Sequence, residues 1–388
     1  MPRRLIAIVA LVVVGCTSSG TSAQSSPSTQ ASATPSSGAG QSPTTSPTGA
    51  PTSNPAVIKV AFSCRLPVVT HTTGGDGTTF QGGFITFPAG SYAEDPKGLI
   101  NVIYPTGGFV TRQTPVLKGA LDNFDAPFFD AAAGRWVPSS AAHAAPDGSS
   151  YAYATTGDQP SVVTFHIVRV SSATEKTYAL PLPVAGTGVQ VMDYDGAGVY
   201  FVVTQFELYP VGVWRLDATS GRVSTLTRVA NVMDVRAGYA WAGALDPHDP
   251  YPPPVAASRQ LFDSILQVNL ANAAQTTWFY SPGRSETLLG LASNGLPVLN
   301  ISDAPDYPVI GGETRYLDHP STGAEDSGQL VWGGGIRLVD PQGDGDRVWF
   351  GSDSGLYLYT SAGGLQEVFA FPPDPTTGRT MSPAGLCR

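Results

Sequence analysis

The sequence predicts an all-β domain built from a repeated four-stranded unit, and three observations carry that prediction. Short runs of β-type residues, separated by Gly, Pro, Asp and Asn turns, fill the chain from Val57 onward. No segment long enough for an ordinary helix shows helical periodicity. A turn rich in Gly, Asp or Asn recurs every 42 to 57 residues, which is the period of β-propeller blades.

Each recurring turn precedes an aromatic or aliphatic strand. Pro146-Asp147-Gly148 leads into Tyr151-Ala-Tyr-Ala, and Asp195-Gly196 into Val199-Tyr-Phe-Val-Val. Ala237-Gly238 leads into Tyr239-Ala-Trp-Ala, and Asn294-Gly295 into Pro297-Val-Leu-Asn-Ile. The last turn, Gly343-Asp344-Gly345-Asp346, leads into Arg347-Val-Trp-Phe. After a loop comes a further strand such as Gly212-Val-Trp-Arg-Leu-Asp, Ile265-Leu-Gln-Val-Asn-Leu or Gly355-Leu-Tyr-Leu-Tyr, and after a second turn another, such as Arg222-Val-Ser-Thr-Leu-Thr. Five units run from about Trp136 to Phe371, and Phe62 to Arg135 has room for a less regular one. The count is therefore six blades, with seven as the alternative; paired β-sandwiches or a β-solenoid are the competing architectures.

The Pro146-Asp147-Gly148 unit resembles the repeats of TolB-type and WD40-like bacterial propellers. The segment Val348-Trp-Phe-Gly-Ser-Asp-Ser-Gly-Leu-Tyr357 is similar to the blade repeat in propeller sensor domains of two-component regulators. Each likeness covers one blade. They imply an architecture and no active site, because propellers host many unrelated functions.

The N-terminus has a different grammar. Arg3 and Arg4 precede an unbroken apolar run, Leu5 to Val14, too short to span a bilayer as a helix but suited to a signal peptide. Val13-Val14-Gly15-Cys16 resembles the lipobox of bacterial lipoproteins, which implies cleavage before Cys16 and a diacylglyceryl group on its sulfur. The competing reading is an ordinary signal peptide beside a chance cysteine. From Thr17 to about Ala56 the chain is almost wholly Ser, Thr, Pro, Gly, Ala and Gln, without charge. Such a segment cannot bury enough surface to offset its ordering entropy. It reads as a disordered, mucin-like tether with a reach of about 35 Å. The expected organisation is thus residues 1–15 as cleaved leader, 16–56 as lipidated Cys and linker, and 57–388 as propeller, held on the extracytoplasmic face of the cell membrane.

Composition narrows the function classes. The net charge is −9, charged residues make up 13% and hydrophobic residues 41%. Nucleic acid is an unsuitable partner for a chain without clustered Lys and Arg. If Cys16 carries lipid, Cys64 and Cys387 remain, either as one disulfide near the two ends of the domain or as two separate buried thiols.

Enzyme signatures are missing from the sequence: Gly351-Ser-Asp-Ser-Gly355 places Asp where a nucleophile elbow needs Ser, and no metal-ligand spacing, phosphate loop or dinucleotide fingerprint occurs. No cofactor is expected. His71, His143, His166, His248 and His319 are dispersed, and His143 beside the Pro-Asp-Gly turn reads as a hydrogen-bonded structural residue. Asp193-Tyr-Asp-Gly196 and Gly343 to Asp346 could offer oxygens to Ca²⁺, but Asp-Gly is also common hairpin chemistry.

Four Tyr-Pro pairs are more than 15 Tyr and 34 Pro would make by chance. They are Tyr104-Pro105, Tyr209-Pro210 with Glu207, Tyr251-Pro252 with Asp249, and Tyr307-Pro308 with Asp306. Each is read in the connection between the second and third strands of a blade, where such loops converge on one face, joined by Asp246, His248 and Asp303. Tyrosine presents a large rigid face with a polar tip, and the acids favour cationic or hydroxyl-rich ligands. Alternatively, Pro merely ends each strand and Tyr packs beneath the loop. The sequence thus favours a non-catalytic module for a protein, peptide or glycan ligand. A propeller hydrolase or lyase using Asp246, Asp249, Asp303 and Asp306 is the second reading, and an envelope-assembly factor the third.

Overall fold

The computed structural model describes residues 57–388 apart from 75–76, 104–107, 112–116, 121–125, 157–160, 187, 206–207, 246–261, 293, 303–311, 321–327, 334–335 and 372–379. The described chain is a six-bladed β-propeller. It contains one 3-10 turn, Ala141–His143, and no helix long and apolar enough to cross a membrane.

The first blade opens with β1 (Cys64–Gly74), β2 (Gly77–Phe87) and β3 (Ser91–Ile103), and β4 (Gly108–Thr111) and β5 (Lys118–Ala120) extend its edge. A separate hairpin follows, β6 (Phe128–Asp130) and β7 (Arg135–Val137). Blade two holds β8 (Ser150–Thr156), β9 (Val162–Arg169) and β10 (Glu175–Pro181), with a single bridge from Ala144 to Tyr151 in place of an inner strand. Blade three is β11 (Gly188–Tyr194), β12 (Gly198–Gln205), β13 (Leu208–Asp217) and β14 (Val223–Ala230). Blade four is β15 (Val232–Arg236), β16 (Tyr239–Ala244), β17 (Ser264–Asn269) and β18 (Gln275–Tyr280). Blade five is β19 (Ser285–Leu291), β20 (Pro297–Ser302), β21 (Glu313–Tyr316) and β22 (Gln329–Gly333). Blade six is β23 (Val339–Asp344), β24 (Arg347–Gly351), β25 (Gly355–Thr360) and β26 (Gly364–Ala370). The last strand, β27 (Thr380–Pro383), returns to pair with β1.

The repeating turn has one backbone cause. Gly148, Gly196, Gly238, Gly295 and Gly345 all have φ between 66° and 84°, a region that side chains disfavour. Polar neighbours hold these turns: Asp147 accepts from the Ser149 N–H at 2.9 Å, Asp195 from Ala197 at 2.8 Å, and Asn294 from Leu296 at 3.1 Å. The Asp-Gly pairs at 147 and 195 therefore do hairpin work.

Successive side chains on a strand point to opposite faces, and here both faces are buried. Phe201 and Val203 pack toward blade two with Phe165 and Trp214, while Val202 between them packs toward blade four with Val213, Ala240 and Val268. Trp241 joins Ile265, Leu299 and Ile301 between blades four and five. Val348 and Phe350 face blade five, and Trp349 between them faces blade one with Leu66, Val68 and Met381. This two-sided burial explains why the second strands read as continuous apolar runs. The β6–β7 hairpin fills the remaining gap: Phe129 and Trp136 pack on blade one, and Phe128 and Val137 on blade two. Gly82 makes room for it, since a Cβ there would lie 2.4 Å from the Trp136 ring.

Ring closure combines pairing and a covalent bond. His71 to Val68 lie opposite Thr380 to Pro383, so the C-terminal strand supplies the innermost strand of the N-terminal blade. Beyond it, Cys64 and Cys387 form a disulfide, with Cα atoms 5.4 Å apart across a sequence separation of 323 residues. In the chain-entropy picture a loop this long contributes roughly 5 kcal/mol. Reduction, or Cys64→Ser, is expected to lower the urea midpoint strongly while leaving the β-type circular dichroism in water intact. An unchanged midpoint would mean that strand pairing alone closes the ring.

Candidate functional site

Antiparallel strands send alternate connections to opposite ends of a blade. The glycine turns and the Cys64–Cys387 bond lie at one end of the propeller. The links between second and third strands leave from the other: 75–76, 157–161, 206–207, 245–263, 303–312 and 352–354. The two longest belong to neighbouring blades four and five. Long connections on a rigid scaffold are where binding residues concentrate.

Most of the tyrosines and acids singled out from sequence fall on these connections. Glu207 lies on the β12–β13 link, Asp246, His248, Asp249 and Tyr251 on β16–β17, and Asp303, Asp306 and Tyr307 on β20–β21. All of them, and Tyr104, lie outside the described residues. Two positions differ from expectation. Tyr104 falls between β3 and β4, because β27 takes the inner position and moves β3 to fourth in its sheet. Tyr209 and Pro210 lie within β13, where the register with β12 shifts between Phe201 and Gln205. Such irregularity accommodates a residue without an N–H. The Tyr209 side chain is outside the described residues. His143 is buried with Ser139 Oγ 3.4 Å from its Nδ1, as a structural histidine would be.

At the roots of the two long connections the structure assembles a buried polar group that sequence reasoning missed. Phe262 bridges to Glu286, whose N–H donates to the Phe262 carbonyl at 2.8 Å. This places Asp263, at the end of one connection, beside Glu286 on the innermost strand of the next blade. Asp263 is 0% exposed and Glu286 1%. Asp263 Oδ1 accepts from Ser264 Oγ at 2.9 Å, and the Asp263 carbonyl takes the Ser281 N–H at 3.0 Å. Neither carboxyl oxygen of Glu286 has a hydrogen-bond partner among the described residues. Burial, and then the neighbouring Asp263 charge, push Glu286 well above the ordinary glutamate range; the Arg284 charge opposes this. Next to them, Glu313 Oε2 accepts from Arg315 at 2.7 and 3.0 Å and from Arg284 at 3.5 Å. Burial alone would raise Glu313, but the two guanidiniums outweigh it and hold it low. In the sequence, the only sign of this pair is an acid at the start of each apolar run, Asp263 directly before β17 and Glu286 second in β19.

A second polar group lies at the same end, on the closing seam. Thr380 Oγ1 is 3.0 Å from His71 Nε2, and Ser382 donates its hydroxyl to the Asp340 carboxylate of blade six. Burial lowers His71, against the pull of Asp340 and Asp353, with Arg337 also lowering it. Burial raises Asp340, opposed by Ser382, His71 and Arg337.

No protein-family model matches this sequence, and no curated protein matches it. Solved structures do. A prolyl endopeptidase aligns with a TM-score of 0.50 at 11% identity, covering 81% of this chain and 51% of its own. The chain thus spans about half the length of that enzyme, and the likeness is one of fold. The β-propeller domain of the Trilobed protease from Pyrococcus furiosus aligns at 0.42 and 11% identity, covering 79% of this chain and 86% of that one. TolB from Acinetobacter baumannii aligns at 0.37 and 11% identity, covering 83% and 81% respectively.

The glycine-turn end carries its own electrostatic feature. Asp193 on β11 is pushed up to about 7, first by burial, then by Asp234 and Asp195, with Arg236 opposing. A carboxyl raised above its unfolded value binds its proton more tightly in the folded state. Its contribution is complete below about pH 4 and is lost as pH rises through about 7. Asp193→Asn is therefore expected to be more stable than wild type at pH 8, with the difference shrinking toward pH 5. Parallel melting curves at the two pH values would contradict the assignment.

Proposed function

We propose that this protein is a lipid-anchored, extracytoplasmic binding module, and that its ligand meets the propeller end carrying the β16–β17 and β20–β21 connections. One observation supports the site above others: among the links between second and third strands, the two longest leave from neighbouring blades, at the end away from the glycine turns. Both connections carry Tyr and Asp, namely Asp246, Asp249 and Tyr251 on one and Asp303, Asp306 and Tyr307 on the other. That chemistry suits cationic or hydroxyl-rich ligands, such as polyamines, basic peptides or glycans. The anchor reading rests on Arg3, Arg4, the apolar run to Val14 and the Gly15-Cys16 junction.

Two experiments test these readings separately. Metabolic labelling with palmitate should mark the wild-type chain and not Cys16→Ala, which should also leave the membrane fraction; label retained on the variant would remove the anchor assignment. Binding of Lys/Arg peptides, polyamines and oligosaccharides by the purified protein should fall at least about tenfold in Tyr251→Ala, Asp249→Asn and Tyr307→Ala. Equal binding by all three variants would place the ligand elsewhere. Turnover of a peptide or glycan abolished by Asp249→Asn would replace the binding role with a catalytic one.

A further inference from the structure

We propose that Thr155, His166 and Glu175 of blade two form a triad for acyl transfer, with carboxylic esters as its substrate class. The three side chains stand in the order that nucleophilic catalysis requires. Glu175 Oε1 is hydrogen-bonded to His166 Nδ1, and His166 Nε2 lies 2.9 Å from Thr155 Oγ1. A neutral ring that donates from Nδ1 to a carboxylate keeps Nε2 bare, which is the tautomer that accepts a hydroxyl proton. Strand register produces the alignment. Tyr153 lies opposite His166, Thr155 opposite Thr164, and Val168 opposite Glu175. Side chains alternate along each strand, so Tyr153, Thr155, His166 and Glu175 share one face of the sheet.

Further contacts fix the imidazole. The Tyr153 ring stacks on it with centroids 4.3 Å apart and planes 3° from parallel, and Tyr151 stacks behind Tyr153 at 6.3 Å. The Tyr153 hydroxyl donates to the same Glu175 oxygen at 2.9 Å. Burial, and then Glu175 itself, push the Tyr153 phenol well above its ordinary range, so it stays protonated and keeps that donor. Tyr151, Tyr153 and Val168 pack with Phe128 and Val137 of the β6–β7 hairpin, which gives the stack a rigid wall. The reacting edge nevertheless reaches solvent. The side chains of His166 and Glu175 keep 16% and 34% of their surface exposed, and Thr155 is half-buried. Thr155 is next to last in β8, at the end of the molecule from which the links between second and third strands leave.

The chemistry balances with water alone. Thr155 Oγ1 bonds to the ester carbonyl carbon while its proton passes to His166 Nε2, and Glu175 stabilises the imidazolium through Nδ1–H. The bond to the alkoxy oxygen then breaks, and the leaving group takes the proton from Nε2 and departs as an alcohol. Water gives a proton to Nε2 and attacks the acyl-threonine; the bond to Oγ1 breaks, Thr155 recovers its proton and a carboxylic acid is released. Esters suit this site better than amides, because an alkoxide leaves a tetrahedral intermediate more readily than an amine anion. The narrow exposure at His166 favours a small acyl group. Thr155 and His166 meet the reacting atoms, whereas Glu175 and Tyr153 are positioning residues. The triad lies on blade two and the proposed ligand site on blades four and five, so either reading can fail without the other.

The test is hydrolysis of p-nitrophenyl acetate by the whole purified protein, with a fluorophosphonate probe to trap the nucleophile. Wild type is expected to turn the ester over and to carry the phosphonyl group on Thr155, located by peptide mass spectrometry. The kcat/KM should fall about a hundredfold in Thr155→Val and in His166→Ala. Asp346→Asn, at a side chain 91% exposed, should match wild type. Thr155→Val separates the triad from an imidazole acting alone, which would keep its rate. Glu175→Gln should lower kcat at unchanged KM, and Glu175→Asp should recover part of the loss. Should Thr155→Val prove unstable, Thr155→Ser takes its place: a less hindered hydroxyl should keep turnover and be labelled faster at the same position. No turnover by wild type, a probe that leaves Thr155 unmodified, or wild-type rates in Thr155→Val or Glu175→Gln would overturn the proposal.

Discussion

The propeller depends on one closure. A ring of blades has a first and a last sheet, and unless these are joined each leaves an unpaired edge and an open apolar face. Here β27 crosses from the last blade to the first and pairs with β1 from His71 to Val68. The disulfide between Cys64 and Cys387 then fixes the same junction covalently. The seam is also filled, because Trp349 of blade six stacks on Phe87 of blade one with ring centroids 5.6 Å apart. Four of the other interblade cores are likewise direct blade-on-blade packing, and the fifth, between blades one and two, is filled by the β6–β7 hairpin.

That pattern has a consequence for chemistry. Each blade spends both faces on its neighbours, which leaves only the two ends of the molecule for polar work. The glycine turns at one end are tight and self-satisfied, with Asp147, Asp195 and Asn294 hydrogen-bonded to local backbone. The opposite end holds the connections of unequal length and two buried polar groups, one at the seam and one between blades four and five. Asp263 and Glu286 lie where an apolar core gives way to long connections, and there a carboxyl can be buried without facing an aliphatic neighbour on every side.

Much of the fold was legible because its signals are local. The φ values of Gly148, Gly196, Gly238, Gly295 and Gly345 are requirements of single turns, and a turn announces itself in two or three residues. The apolar strands were legible for the same reason. The candidate site was not. Asp263 and Glu286 stand 23 residues apart and meet only because adjacent blades pack; in sequence each is one acid at the start of an apolar run. Tyr104 falls between β3 and β4 and not between a second and third strand, because nothing local reveals that the innermost strand of the first blade comes from the far end of the chain.

By itself the sequence determined the all-β class, the repeat, the turn positions and the two cysteines available for a bond, since each follows from local backbone preference or from composition. Only the tertiary structure decided between six blades and seven, that β6 and β7 wedge between blades one and two, that Cys64 meets Cys387, and that Asp263 and Glu286 lie beside each other. The physical reason is the same in each case. These features are contacts between residues far apart in the chain, and their free energy exists only once the ring has closed and water has been excluded from between its blades.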